Sequence, residues 1–168
     1  ARFPVVLDRI LQAGDRSSDN FFYQEEGKTA VLMMQRGEHA FPVYGKRNKE
    51  NLNKRWFEGL RLEGESLYAV TGFGDGSHIR YFLENSSTGT FCLTAEKDAC
   101  MLRDTLSRID CTYILTHERF GFGVGDLDDP FFIDIQNAAV SAVTDVNAAV
   151  FSPLQSVDES YYERMRNE

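Results

Sequence analysis

Cysteine is scarce in this chain: there are three, Cys92, Cys100 and Cys111, among 168 residues. An odd and widely spaced set excludes the dense disulfide framework of a small secreted domain. It also lacks the paired spacing of a zinc site, with or without His117. The expectation is inert, buried thiols in a cytoplasmic or other reducing compartment, and no metal. No apolar run reaches the ~18 residues of a membrane helix, which argues against a membrane partner. The N-terminal stretch Ala1-Arg2-Phe3-Pro4-Val5-Val6 has no signal-peptide shape. Basic residues are outnumbered, with 18 Lys and Arg against 26 Asp and Glu and a formal net charge of −8. Such a chain repels phosphate backbones, which disfavours nucleic acid as a general partner. Neither a Gly-x-Ser-x-Gly elbow nor a His-Glu-x-x-His pair occurs. No catalytic residue and no cofactor is therefore assigned.

What is present is enough for a core. Hydrophobic residues make up 42%, with 13 Phe and 7 Tyr. A chain of this length buries most of its unfolded surface without staples. We expect one domain over residues 1–153, with 154–168 as a tail or short docking helix.

Periodicity supplies the elements. Pro4 opens a helix carried by Leu7, Ile10 and Leu11 and stopped by Gly14. Residues 21–23, 29–34 and 40–44 read as three strands. Leu52, Trp56 and Leu60 form one stripe of a helix over 46–60. Residues 66–71 and 78–83 read as a hairpin around Gly72-Phe73-Gly74-Asp75-Gly76, because Asp-Gly is a strong turn signal. Residues 90–93 add a strand. Thr94 then looks like the N-cap of a helix running to Ile109. Alternation over 109–115 predicts a half-buried strand. Pro130 opens an Ala-rich helix to about Phe151, with Ala139, Ala142 and Val146 on its buried face. The expected fold is α+β: a largely antiparallel sheet built from hairpins, with helices mainly on one face.

Several patterns qualify as candidate sites, each with a plainer explanation. Phe120-Gly121-Phe122-Gly123-Val124 reads as a strand with one bare face that another side chain approaches closely. It lacks the lysine of a phosphate loop. Asp126, Asp128 and Asp129 offer hard oxygens, but capping and dipole complementation account for them. His78 and His117 join Asp126 and Asp128 as an alternative pocket near 72–78 and 118–129. The window from Arg36 to Arg61 holds Arg36, Lys46, Arg47, Lys49, Lys54, Arg55 and Arg61 against only three glutamates. Lys54, Arg55 and Trp56 are its interaction candidates. Tyr161, Tyr162 and Met165 offer an apolar grip near the C-terminus, as interface cores do.

With no catalytic constellation, the expected function is a non-enzymatic interaction or assembly module: a subunit, adaptor or chaperone. Its partner would be another protein or a second copy in a homo-oligomer. The alternatives are a small enzyme or ligand-binding domain using the pocket above, and nucleic-acid binding through residues 46–61.

Overall fold

The computed structural model describes residues 2–27, 29–44, 48–62, 65–126, 133, 137, 145–155 and 158–167. Helix α1 (Pro4–Ala13) leads into an antiparallel meander, β1 (Phe21–Glu26), β2 (Thr29–Arg36) and β3 (His39–Pro42). Phe21 pairs with Met34, and Met34 with Phe41, so these side chains share one face. Helix α2 (Lys49–Glu58) crosses to a second sheet. That sheet is assembled from β4 (Ser66–Thr71), α3 (Ser77–Asn85), β5 (Thr90–Glu96), α4 (Ala99–Arg108), α5 (Thr112–Thr116), β6 (Phe120–Val124) and β7 (Asp145–Ala149). Two short helices follow, α6 (Ser152–Gln155) and α7 (Glu159–Asn167).

The protein is α+β, as expected, and its first three strands are antiparallel. The single, largely antiparallel sheet is corrected. The second sheet is parallel, in the order β6-β5-β4-β7. The chain steps outward from β4 to β6 and returns on the other side of β4. This is half of a doubly wound arrangement, with a topological switch at β4.

Four expectations change with it. Residues 77–85 form a helix, because His78, Ile79, Phe82 and Leu83 are its buried residues, spaced one turn apart. The Asp-Gly step is therefore a strand-to-helix turn. Residues 112–116 are helical too, with Ile114 as the buried residue. Asp98, not Thr94, caps α4: its carboxylate accepts from Met101 N at 2.9 Å. Thr94 and Ala95 continue β5. The expected Ala-rich helix meets a strand at 145–149, where Val146 is 51% exposed. Ala139 and Ala142 lie outside the described residues.

Among the described residues, two clusters fill the interior. The larger, including Tyr68, Val70, Phe73, Phe82, Leu102, Phe120 and Phe122, backs the parallel sheet. The smaller joins Phe21, Leu32, Met34 and Tyr44 of the amino-terminal half to Met101, Phe151 and Leu154. The antiparallel sheet is thus seated over the carboxyl ends of the parallel strands. The expected bare face on β6 is present: a Cβ at Gly121 would lie 3.0 Å from Leu93 Cδ1.

Candidate functional site

In a parallel sheet of this kind, ligands bind outside the carboxyl ends of the strands. Here that edge carries a crevice of about 550 Å³. Its floor is the end of β5 and the start of α4, Glu96 to Cys100. One wall is the end of β6, Val124 and Gly125. The other is α1 and the loop after it, with Arg9, Gln12, Arg16 and Ser18; Asp158 closes one side.

Glu96 is the unusual residue of the floor. It is 2% exposed yet borders the crevice. Its Oε2 accepts from Phe73 N at 2.9 Å and its Oε1 from Asp98 N at 3.0 Å. Burial pushes its carboxyl up from 4.5 to about 7, against the pull of these N–H donors. Each carboxylate oxygen has two lone pairs, so these bonds do not exhaust the acceptor capacity of Glu96. Asp98 beside it accepts from Ser18 Oγ as well as from Met101 N. The basic groups are engaged: Arg9 donates to Val124 O at 2.9 Å, Arg16 to Ala13 O at 3.1 Å, and Lys97 pairs with Asp158.

Next to this floor lies the loop after β4, Gly72 to Gly76. Gly72, Gly74 and Gly76 all have positive φ, which a side chain tolerates poorly. At Gly74 the position of a Cβ is taken by the Tyr44 hydroxyl, with Leu154 Cδ1 3.0 Å away. A polar relay seals this loop. Asp75 N donates to Tyr44 OH at 3.1 Å, and Tyr44 OH lies 3.2 Å from His78 Nδ1. His78 Nε2 lies 3.2 Å from Gly72 O, a pure acceptor, so Nε2 carries the proton and Nδ1 accepts from Tyr44. Burial lowers the His78 pKa to about 4, and its ring stacks on Phe151 at 4.2 Å. Lys49 Nζ anchors Asp75 Oδ2 at 2.7 Å.

The sequence candidates are dispersed around this edge. His78 belongs to the sealed loop. His117 precedes β6 and so lies at the opposite edge of the sheet, where its Nδ1 accepts from Arg119 N at 3.2 Å. Asp126 is exposed just beyond β6, with Arg164 Nη1 3.9 Å away. Asp128 lies outside the described residues. The structure therefore does not gather His78, His117 and Asp126 into one pocket. Lys54 is exposed and 3.8 Å from Glu58, and Arg55 is exposed on the same helix. Trp56 is turned inward: its Nε1 donates to Val150 O at 2.9 Å, and its ring meets His78 and Phe151 edge-on. Tyr161 is buried and donates to Gly125 O at 2.9 Å, at the mouth of the crevice. The side chains of Tyr162 and Met165 lie outside the described residues.

The sequence reading includes the loop at 72–78 in its alternative pocket but gives Glu96 no role there. The signal was there: Gly-x-Gly-x-Gly after a strand, with an acid roughly twenty residues further on, is close to the dinucleotide-type fingerprint. Reading Gly72–Gly76 as a hairpin tip hid it. Among the described residues no group of three or more His, Cys, Asp or Glu is placed to hold a metal ion. No helix among them is long and apolar enough to cross a membrane.

No family model matches the chain, and no curated protein matches it. A solved structure that resembles it is the complex between the Haloferax volcanii Trm112 methyltransferase activator and its companion, named as a methyltransferase. Identity is 19% and the TM-score 0.33; the match covers 45% of this chain and 30% of the matched one.

Proposed function

We propose that this protein is a ligand-binding domain that takes a ribonucleoside-containing small molecule at the carboxyl edge of its parallel sheet. The observation that carries the reading is the position of Glu96. It ends the strand next to the switch-point strand, it is held by the glycine loop, and it borders an open crevice. A carboxylate there accepts from the paired hydroxyls of a ribose, the role an acid plays at the end of the second strand of doubly wound nucleotide-binding folds. The base then lies toward β6, between Val124, Gly125 and the α1 wall. Binding is the activity proposed; no side chain is assigned to a chemical step.

The test is calorimetric titration and thermal melting of the full chain with adenosine, S-adenosylmethionine, NAD and ADP. At least one should bind and raise the Tm by several degrees at saturating concentration. Glu96→Ala should weaken that ligand by about tenfold or more, since a hydroxyl loses its buried carboxyl acceptor. Silence across the panel rejects the reading.

A second reading, the non-enzymatic interaction or assembly module, is favoured by α1. Leu7 and Leu11 lie one turn apart and are 47% and 67% exposed. Light scattering separates the cases: a monomer at high micromolar concentration removes the homo-oligomer and leaves only a foreign partner.

A further inference from the structure

The glycine loop of a doubly wound half ordinarily receives a diphosphate, which needs free N–H groups at the helix start and bare backbone to approach. In this protein the loop from Gly72 to Ser77 offers neither. Gly72 N donates to Ala95 O at 3.1 Å, Phe73 N to Glu96 at 2.9 Å, and Asp75 N to Tyr44 OH at 3.1 Å. Gly74 N also faces Glu96. Gly76 N donates to Phe73 O at 2.9 Å and Ser77 N to Asp75 Oδ1 at 2.9 Å. Five of the six N–H groups from Gly72 to Ser77 have a hydrogen-bond acceptor inside the chain, and the sixth, Gly74 N, faces Glu96. Two of those acceptors are carboxylates of the protein, standing where phosphate oxygens would stand.

Space gives the same answer. Phe73 and Asp75 are 0% and 5% exposed, and Tyr44 and Leu154 cover Gly74. A phosphate at the loop would break internal hydrogen bonds, displace Tyr44 and bring its charge against Asp75 and Glu96. The cations of the crevice do not relieve this. Arg9 reaches Val124 O at the end of β6, which is two strands, about 10 Å, from β4. Lys97 is paired with Asp158, and Arg16, on the loop after α1, is held at Ala13 O.

We infer that the ligand of this site is a ribonucleoside with no phosphate on its 5′ side, its 5′ substituent neutral or cationic; this rests on the ribonucleoside reading proposed above. The protein's own carboxylates have taken the place of the diphosphate.

The experiment compares adenosine, S-adenosylmethionine, whose 5′ substituent carries a sulfonium, and ADP, by calorimetric titration of the full chain. The expected order has ADP weakest, by about tenfold or more relative to the tighter of the other two. Asp75→Asn, which removes one opposing charge, should narrow that gap by about threefold. Melting curves verify that the variant is folded. If it is not, Lys49→Ala leaves the charge of Asp75 unbalanced and should widen the gap instead. ADP binding as tightly as adenosine overturns this inference while the ribonucleoside reading stands. A gap unmoved by both variants also counts against it. If none of the three binds but NAD does, this inference fails alone; if NAD fails as well, the proposed function fails and this inference with it.

Discussion

The two edges of the parallel sheet are built with opposite chemistry. At the amino edge the partners are arginines. Arg119, 8% exposed, donates to Leu83 O at 2.5 Å, Ser86 Oγ at 2.7 Å, Ser87 O at 2.7 Å and Thr90 O at 2.9 Å. Arg2 donates to the carbonyls of His117, Glu118 and Phe120. At the carboxyl edge carboxylates predominate: Asp75, Glu96 and Asp98 accept from backbone N–H groups, while Arg9 caps the carbonyl of Val124. Parallel strands joined by helices explain the division. Each connecting helix starts at the carboxyl edge, where its first N–H groups lack partners, and ends near the amino edge, where carbonyls do. The amino edge is closed by five-donor forks. The carboxyl edge is closed by groups with lone pairs to spare, and a crevice opens beside them.

The largest effect that would break this comparison lies at the amino edge. Arg119→Ala should cost about 3–5 kcal/mol, because it strands several buried acceptors at once. That corresponds to a fall in Tm of roughly 10 °C for a chain of this size. Arg119→Lys should recover little, since one ammonium cannot span the same set. A melting temperature within ~2 °C of the parent protein would show that the fork is not needed.

The next effect belongs to the carboxyl edge and is read from pH. Glu96 is raised from 4.5 to about 7, so the folded state holds a proton that the unfolded state has released. Its contribution to stability therefore declines as pH rises from about 4.5 to 7. His78 is lowered from 6.5 to about 4, despite the opposing charge of Asp75. Its contribution is lost as pH falls from about 6.5 to 4. The two slopes oppose each other, and urea denaturation of the parent protein should be nearly level between pH 4.5 and 6.5. Glu96→Gln removes one slope. That variant should then gain up to roughly 3 kcal/mol as pH rises over the same window. A variant as level as the parent would contradict this pairing of groups.

Smaller changes sharpen the contrast. The side chain of Lys49 is 45% exposed while that of the Asp75 it holds is 4% exposed. Lys49→Ala should cost about 1–2 kcal/mol, less than the loss of Arg119, because Asp75 retains its Ser77 N–H bond. The smallest effect is expected on the open face of α2. Lys54→Glu and Arg55→Glu should each change stability by no more than about 0.5 kcal/mol, as surface charges do. The same two variants, titrated with a random duplex at low salt, test the nucleic-acid alternative. No binding in parent or variant is expected, and a micromolar complex lost on charge reversal would revive it.

Local pattern was enough for some of this molecule. Pro4 and Gly14 bracket α1, and the runs of strand-forming residues in β1 to β3, punctuated by Gly27 and Gly37, are plain in residues 21–42. The bare face of β6 was legible in Phe-Gly-Phe-Gly-Val, and the inward stripe of Trp56 in its spacing from Leu52 and Leu60. The helix over 77–85 was not. His78-Ile79-Arg80-Tyr81-Phe82-Leu83 is rich in residues that suit a strand, and its burial at 78, 79, 82 and 83 is set by the sheet it packs on. Propensity is a weak prior that tertiary packing overrides.

Sequence by itself determined the inventory: an acidic chain with few thiols, enough aromatic side chains for a core, and glycines where the backbone must turn left-handed. Those properties are local, or sums over the chain, and hold whatever the topology. Tertiary structure alone decided the direction of the strands, since a parallel pair and a hairpin can share one pattern of apolar residues. Strand direction placed every helix start at one edge. That brought Glu96, Asp98 and the loop at Gly72–Gly76 together, residues too far apart in the chain for spacing to reveal as one site. It also set His117 across the sheet from His78, because neighbouring elements of similar composition can end at opposite edges. The sign of each edge follows from the unpaired backbone groups that the topology leaves there.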